Sequence, residues 1–160
     1  MPVDVPAVYN EIIHYQLRID ETNSNPLTSC VYLEDAIGMQ EGSSDWDDLP
    51  IFNDIRPCVF NNGEVNYYLQ KNNFTLKEDG TPSILTGEDG DVMIEFRKFG
   101  YKISREGQYL YIDLTNDDNA EGYCYNAFSR LTEGDLDRFY QGAFKGWIDS
   151  NGNLRSVAGK

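Results

Sequence analysis

Residues 108–114 read QYLYIDL, and their alternation decides the fold class of the chain. Aliphatic residues at positions 110, 112 and 114 alternate with aromatic or acidic residues at positions 109, 111 and 113. Successive side chains of a β-strand point to opposite faces of a sheet, so such a run buries one face and leaves the other polar. The stretch therefore predicts a half-buried strand of an antiparallel sheet.

Short extended runs separated by turn residues continue in both directions from this stretch. They cover residues 13–19, 29–33, 55–60, 64–69, 92–96, 99–104 and 154–157. The pair Asn62-Gly63 separates two of these runs, and Asn-Gly favours the positive φ angles of a tight hairpin turn. Residues 150–153 have similar turn chemistry before the last run.

Helical signals are sparse and lie at residues 34–37 and 132–139, where no sustained apolar stripe accompanies them. We therefore predict a mainly β fold, α+β at most, with short antiparallel strands, hairpins, long acidic loops and one or two short helices. A length of 160 residues suits one domain. Residues 1–12, which contain Pro2 and Pro6, are expected to form an extended arm, and residues 13–160 a single β-rich domain.

The charge balance excludes two classes of partner. The chain has 27 acidic and 13 basic residues, a formal net charge of −14. Nucleic acids and anionic membranes attract concentrated Lys and Arg, so we expect no nucleic-acid binding and no membrane insertion. Aromatic residues make up 13% of the chain, which distinguishes it from a disordered acidic chain and predicts a folded core.

The usual catalytic and cofactor motifs are missing from the sequence. His14 is the only histidine and lies in an extended run, so we expect an ordinary strand residue there. Cys30, Cys58 and Cys124 are widely spaced, which predicts small buried side chains rather than a disulfide framework or a zinc site. No stretch resembles a leader peptide or a membrane span. We therefore expect no enzyme and no cofactor, with calcium as the one candidate ion.

A long acidic span between Arg18 and Arg56 suggests a calcium site. This span has nine acidic residues and no basic one, and its centre, residues 41–48, reads EGSSDWDD. Calcium prefers several carboxylate oxygens from one flexible loop, which makes Asp45, Asp47 and Asp48 candidate ligands. Two alternatives stay open: a sugar site with Trp46 as a stacking platform, and a solvated acidic loop with Trp46 tucked into the core or an interface.

Tyrosines provide a second set of candidates, since the chain has eleven of them and eight Phe. One small core does not need so many phenolic hydroxyls, so some should lie at the surface or in a subunit interface. Tyr109 and Tyr111, in the alternating stretch 108–114, are candidate ligand-binding residues together with Trp46. Paired carboxylates could also cleave a glycosidic bond, but 27 acidic residues make a suitable pair almost inevitable, so this signal has little specificity.

Several runs together resemble a group of tail-associated phage and prophage proteins. The resemblance is strongest at residues 87–102, which read GEDGDVMIEFRKFGYK, and it extends to residues 15–20, 23–26, 34–39, 42–47, 50–52, 55–58, 121–125 and 154–160. Some members are similar to receptor-binding proteins with C-type-lectin-like domains, typically homotrimers, and the resemblance implies a partial C-type-lectin-like fold for this chain. The matching runs correspond to the N-terminal part of such proteins, so no binding residue can be transferred to this chain.

The resemblance implies a noncatalytic virion structural protein of a tail fibre, baseplate or other appendage, made in the bacterial cytoplasm. It would act in particle assembly or host-receptor attachment. The implied partners are further copies of the chain as a homotrimer, other virion proteins and a bacterial surface glycan. A carbohydrate-binding module, with or without calcium, is the first alternative, and a glycan-cleaving enzyme is the second.

Overall fold

The computed structural model describes residues 11–130 and 134–160 of the chain. The predicted mainly β, antiparallel fold is confirmed. The strands are β1 (His14–Asp20), β2 (Cys30–Glu34), β3 (Arg56–Asn61), β4 (Glu64–Gln70), β5 (Asn73–Lys77), β6 (Asp91–Arg97), β7 (Gly100–Glu106), β8 (Tyr109–Thr115), β9 (Ser129–Arg130), β10 (Gly134–Asp135), β11 (Arg138–Gly142), β12 (Trp147–Ile148) and β13 (Leu154–Arg155). A one-turn α-helix, α1, covers Pro26–Ser29, and a 3-10 turn covers Ser44–Trp46.

The strands divide between two compact units, neither of which is a continuous stretch of chain. The first comprises the chain up to Asn53 together with Lys98–Gly134, and the second comprises Asp54–Arg97 together with Asp135–Lys160. Residues 1–10 of the predicted arm lie outside the described residues. Within the parts of the chain that are described, no helix is long and apolar enough to cross a lipid bilayer.

The first unit contains a four-stranded antiparallel sheet in the order β2-β1-β8-β7. The alternating stretch at 108–114 forms β8, a central strand that pairs with both β1 and β7. One face of the sheet is covered by the loop that follows β2, where buried Tyr15, Ala36 and Ile51 form a core. Partly buried hydrophobic residues extend this core: Ile13, Tyr32, Trp46, Leu49, Phe52, Phe99 and Leu114.

The second unit contains a five-stranded sheet in the order β11-β6-β3-β4-β5 and the short hairpin β12–β13. Val59, Leu69 and Val92 are buried on one face of the sheet, against Tyr67, Phe74, Leu85, Ala143 and Phe144. The predicted hairpin turn joins β3 to β4, where Asn62 and Gly63 have φ angles of +53° and +87°. These angles are typical of the tight turns that match the twist of paired strands.

Gly90, which precedes β6, is fixed by a close approach of backbone. Its φ angle is +138°, and a Cβ atom placed there would lie 2.4 Å from the carbonyl oxygen of Phe60 on β3. Only glycine fits such a position. Gly90 therefore allows a sharp turn directly before β6, which pairs with β3.

Neither of the two runs predicted to be helical forms a helix in its described residues. Glu34 ends β2, and residues 35–38 form a turn. In the run 132–139, Gly134–Asp135 and Arg138–Gly142 are strands, while residues 131–133 lie outside the described part. The reason is tertiary pairing, since Phe139 stacks on Phe96 of β6 with ring centroids 4.8 Å apart. Stacking of these two half-buried aromatic rings outweighs a weak local helix preference.

Candidate functional site

The predicted binding residues Tyr109 and Tyr111 lie on the polar face of the first unit's sheet. The strand register places them in parallel rows that run across β1, β8 and β7. Arg18, Tyr111 and Ser104 form one row. Gln16, Asp113 and Lys102 form the next row, and both rows border a depression of about 240 Å³.

The depression has only polar or amphipathic walls. Its lining residues are Gln16, Lys102, Ser104, Glu106, Tyr111 and Asp113. Tyr109 projects from the same face but is not among them, and the guanidinium of Arg18 lies 4.9 Å from the centroid of its ring. The structure therefore brings Tyr111 into a candidate site and places Tyr109 beside it.

Asp113 forms the floor of this depression and is only 8% exposed. One of its carboxylate oxygens, Oδ2, accepts a hydrogen bond of 3.1 Å from Nε2 of Gln16. The other, Oδ1, is shielded from solvent and has no hydrogen-bond partner among the described residues. The polar groups on this side of the carboxylate are the His14 ring and the Tyr123 hydroxyl.

His14 and Tyr123 lie at the far side of the Asp113 carboxylate. Nδ1 of His14 is 3.5 Å from Oδ1 of Asp113 and 2.9 Å from the hydroxyl of Tyr123. Burial raises the pKa of Tyr123, and the nearby Asp113 carboxylate raises it further. His14 is a strand residue, as predicted, but it also belongs to this polar group, which a pattern of strand residues does not reveal.

Trp46, the third predicted binding residue, lies against the opposite face of the same sheet. Its ring centroid is 5.0 Å from that of Phe52, 5.5 Å from Tyr32 and 5.9 Å from Tyr15. Its indole Nε1 donates a hydrogen bond of 2.9 Å to the carbonyl of Gln40. The structure thus favours the alternative in which Trp46 packs into the core, and it separates Trp46 from Tyr109 and Tyr111.

The candidate calcium ligands Asp45, Asp47 and Asp48 are exposed at and after the 3-10 turn. The turn is capped locally, since the Ser43 hydroxyl accepts a hydrogen bond of 3.3 Å from the Asp45 amide. Within residues 11–130 and 134–160, no group of three or more His, Cys, Asp or Glu side chains is arranged to hold a metal ion. The geometry therefore gives the calcium hypothesis no support.

A buried carboxylate in the second unit was not singled out from the sequence. Glu95 on β6 is 4% exposed and accepts hydrogen bonds from the Tyr140 hydroxyl at 2.8 Å and the Tyr68 hydroxyl at 3.2 Å. Arg138 Nη1 donates a third at 3.2 Å. The only sequence signal is a charged residue within the hydrophobic strand 92–96. Because its oxygens are occupied by protein donors, Glu95 has a structural role.

Two residues beside this carboxylate complete the cluster. The guanidinium of Arg56 lies 3.5 Å from the centroid of the Tyr68 ring, a cation–π contact. The thiol of Cys58 is fully buried, and its burial, together with the Glu95 charge, raises its pKa to about 12. The prediction of a buried thiol is therefore confirmed for Cys58, whereas Cys30 and Cys124 are exposed because they lie at a strand edge and in a surface segment.

A second depression, of about 340 Å³, lies in the second unit beside the β12–β13 hairpin. Apolar atoms of Met93, Phe144 and Leu154 line it, together with the ion pair of Arg155 and Asp91 at 2.9 Å. The hairpin itself exposes three large hydrophobic side chains: Trp147, Ile148 and Leu154. We refer to these three residues as the hairpin patch.

Comparison of the chain with protein-family models, with curated proteins and with solved structures finds no match.

Proposed function

We propose that the chain is a noncatalytic structural protein of a phage virion, located in a tail fibre, baseplate or other appendage. It acts in particle assembly or in attachment to a host receptor. The resemblance of residues 87–102 to tail-associated proteins suggests this role, and two features of the structure support it. The first is an antiparallel β architecture, and the second is an apolar surface suited to contact with another protein.

The hairpin patch is the observation that carries the proposal. Trp147, Ile148 and Leu154 are 37%, 60% and 71% exposed, although they are large apolar side chains. Ile148 and Leu154 are direct cross-strand partners, whereas the ring centroid of Trp147, the neighbour of Ile148 in β12, lies 5.1 Å from Nζ of Lys160. Exposed apolar side chains that lie together are typical of protein–protein contact surfaces. Tryptophan in particular is enriched at the centres of such contacts. The neighbouring apolar depression extends the same surface.

The proposed partners are other copies of the chain and other virion proteins. A trimer is the expected assembly, as the resemblance implies. The exposed acidic residues keep the assembly soluble, while the hairpin patch provides the contact.

Oligomeric state tests the assembly half of the proposal. Size-exclusion chromatography with light scattering should give the mass of a trimer for the unaltered chain. Ile148→Glu and Leu154→Glu should shift the mass toward that of one chain, because a buried carboxylate without a partner opposes association. Leu27→Glu is the matched control, since Leu27 is 83% exposed on α1 and lies outside the hairpin patch. A mass of one chain at every concentration would overturn the assembly proposal.

Particle composition tests the virion half separately. Peptide mass spectrometry of density-banded particles from the source phage should identify the chain at a fixed ratio to the other tail proteins. Its presence in the lysate together with its absence from the banded particles would contradict a virion role.

A further inference from the structure

We propose that the depression on the polar face of the first unit's sheet binds one ring of a neutral carbohydrate. For this purpose the polar site comprises Gln16, Lys102, Ser104, Glu106, Tyr111 and Asp113. This inference goes beyond the proposed function, because it depends on the geometry of one sheet face and would hold in a protein that is not part of a virion.

The site is held in place by the central part of the sheet. Gln16, Asp113 and Lys102 are direct cross-strand neighbours on β1, β8 and β7. Ser104 and Tyr111 form the adjacent pair in the β7–β8 register. The paired strands fix the backbone positions from which these side chains project, and this sets the spacing of the polar groups.

The mixture of polar groups suits a hydroxyl-rich ligand. The carboxylates of Asp113 and Glu106 can accept hydrogen bonds, and the Lys102 ammonium can donate them. The hydroxyls of Ser104 and Tyr111 can do both. Sugar hydroxyls also donate and accept, so they can satisfy this set without a change of protonation.

The charges in and beside the site sum to zero. Two carboxylates, Asp113 and Glu106, are offset by the Lys102 ammonium and by the guanidinium of Arg18, the cross-strand partner of Tyr111. A neutral ligand is the class that this balance favours.

Size and shape restrict the ligand to a single ring. The depression measures about 240 Å³. Pockets that bury drug-sized ligands measure roughly 300–1,000 Å³. The ring of Tyr111 provides an apolar wall with a polar tip, which suits the C–H face of a sugar beside its hydroxyls. The rest of a glycan would lie outside the depression.

The buried carboxylate gives the site its strongest acceptor. Oδ1 of Asp113 is shielded from solvent and lies 3.5 Å from His14 Nδ1, so Oδ2 is the oxygen left for a ligand, and a hydrogen bond to a charged acceptor in such surroundings is stronger than one in bulk solvent. Gln16 fixes its orientation from one side, with a hydrogen bond of 3.1 Å to Oδ2. His14 lies behind the other oxygen. The carboxylate is thus oriented before a ligand arrives.

Binding of free monosaccharides to the full chain tests the proposal. Glucose, galactose, mannose and N-acetylglucosamine are the neutral probes, and sialic acid and glucosamine are the charged ones. Saturation-transfer NMR should detect at least one neutral sugar, and titration should give a millimolar dissociation constant. Binding of the charged sugars alone, or of no sugar to folded protein, would overturn the proposal.

Conservative variants locate the binding. Ser104→Ala and Tyr111→Phe each remove one hydroxyl and should weaken binding about 3- to 10-fold, the range expected for one hydrogen bond. Tyr109→Phe is the matched control, because Tyr109 lies on the same strand and face but outside the depression, and it should bind like the unaltered chain. Equal affinity of all three variants would place the sugar elsewhere. None of them alters the hairpin patch, so the oligomeric state separates this outcome from failure of the proposed function.

Discussion

The hydroxyl of Tyr140 on β11 donates a hydrogen bond of 2.8 Å to the buried carboxylate of Glu95 on β6. The two residues are direct cross-strand partners at one edge of the second unit's sheet. Burial raises the pKa of Tyr140 to about 12, with the hydrogen bond to Glu95 as the next cause. The hydroxyl therefore keeps its proton, and acts as a donor, throughout the neutral range.

Removal of this hydroxyl should destabilise the protein. Tyr140→Phe leaves a buried charged acceptor with one donor fewer, and we expect a loss of about 1.5–3 kcal/mol in the free energy of unfolding. Urea unfolding followed by tryptophan fluorescence measures it. Tyr109→Phe is the control and should change stability by less than about 0.5 kcal/mol. Equal losses in the two variants would contradict the structural role of the pair.

Cys58 should be alkylated more slowly than Cys30 and Cys124. Its raised pKa and full burial keep it protonated and shielded, whereas Cys30 and Cys124 are exposed. The thiolate is the form that reacts with alkylating reagents. Iodoacetamide should therefore label Cys30 and Cys124 in the native protein at pH 7, and Cys58 only after urea is added. Peptide mass spectrometry measures the three rates, and equal native rates would show that Cys58 is accessible.

Gly90→Ala should destabilise the protein strongly, whereas Gly80→Ala should destabilise it only slightly. Both glycines have positive φ angles, but a Cβ atom at Gly90 would lie 2.4 Å from a backbone oxygen, and one at Gly80 would have nothing within 4 Å. Strain from the φ angle alone costs about 1–2 kcal/mol. The steric clash at Gly90 should raise the loss beyond about 3 kcal/mol, since backbone cannot give way as a side chain can. Thermal unfolding compares the two variants, and similar melting temperatures would mean that the β3–β6 approach is looser than described.

The Asp149 turn should make stability depend on pH in the acid range. Backbone amides of Asn153 and Asn151 donate hydrogen bonds to its carboxylate, with Asn153 the larger cause, and they lower its pKa below the ordinary value of 3.8. The folded state then binds fewer protons than the unfolded state. The stabilisation is complete above 3.8 and is lost as the pH falls through the lowered pKa.

Asp149→Asn should remove that part of the pH dependence. Urea unfolding from pH 7 to below 3.8 should give a shallower decline for this variant than for the unaltered chain. Asp48→Asn changes the net charge by the same amount on an exposed loop and serves as the control. Parallel curves for Asp149→Asn and the unaltered chain would contradict the assignment.

Local pattern explains why most of the strands could be predicted. The run at 108–114 alternates strictly, and it forms β8 within one residue of the expected bounds. The Asn62-Gly63 turn fixes β3 and β4 in the same way. β11 was missed as a strand because its stability comes from Phe96 and Glu95, more than forty residues away, and no local periodicity reports that pairing.

The candidate site could be predicted only in part, for a similar reason. Tyr111 was identified from its place in an alternating strand. Asp113, two residues later, was treated as one more polar position, although its partner Gln16 lies 97 residues away in sequence. Trp46 attracted attention because acidic residues surround it, yet its neighbours in space are Tyr15, Tyr32 and Phe52. Sequence proximity and spatial proximity differ most in sheets built from distant strands.

The interleaving of the two units has a consequence for synthesis on the ribosome. β1 pairs with β8, and Ile19 lies opposite Leu110 in that pairing. The two strands therefore cannot pair there until Leu110 has been translated. At about 5–20 residues per second, this wait lasts roughly 5–20 s. The second unit is likewise incomplete until β11 and the C-terminal hairpin emerge. A nascent chain of this protein therefore carries unpaired strands from both units at once, and the second unit reaches its full set of strands only after β13 has been translated.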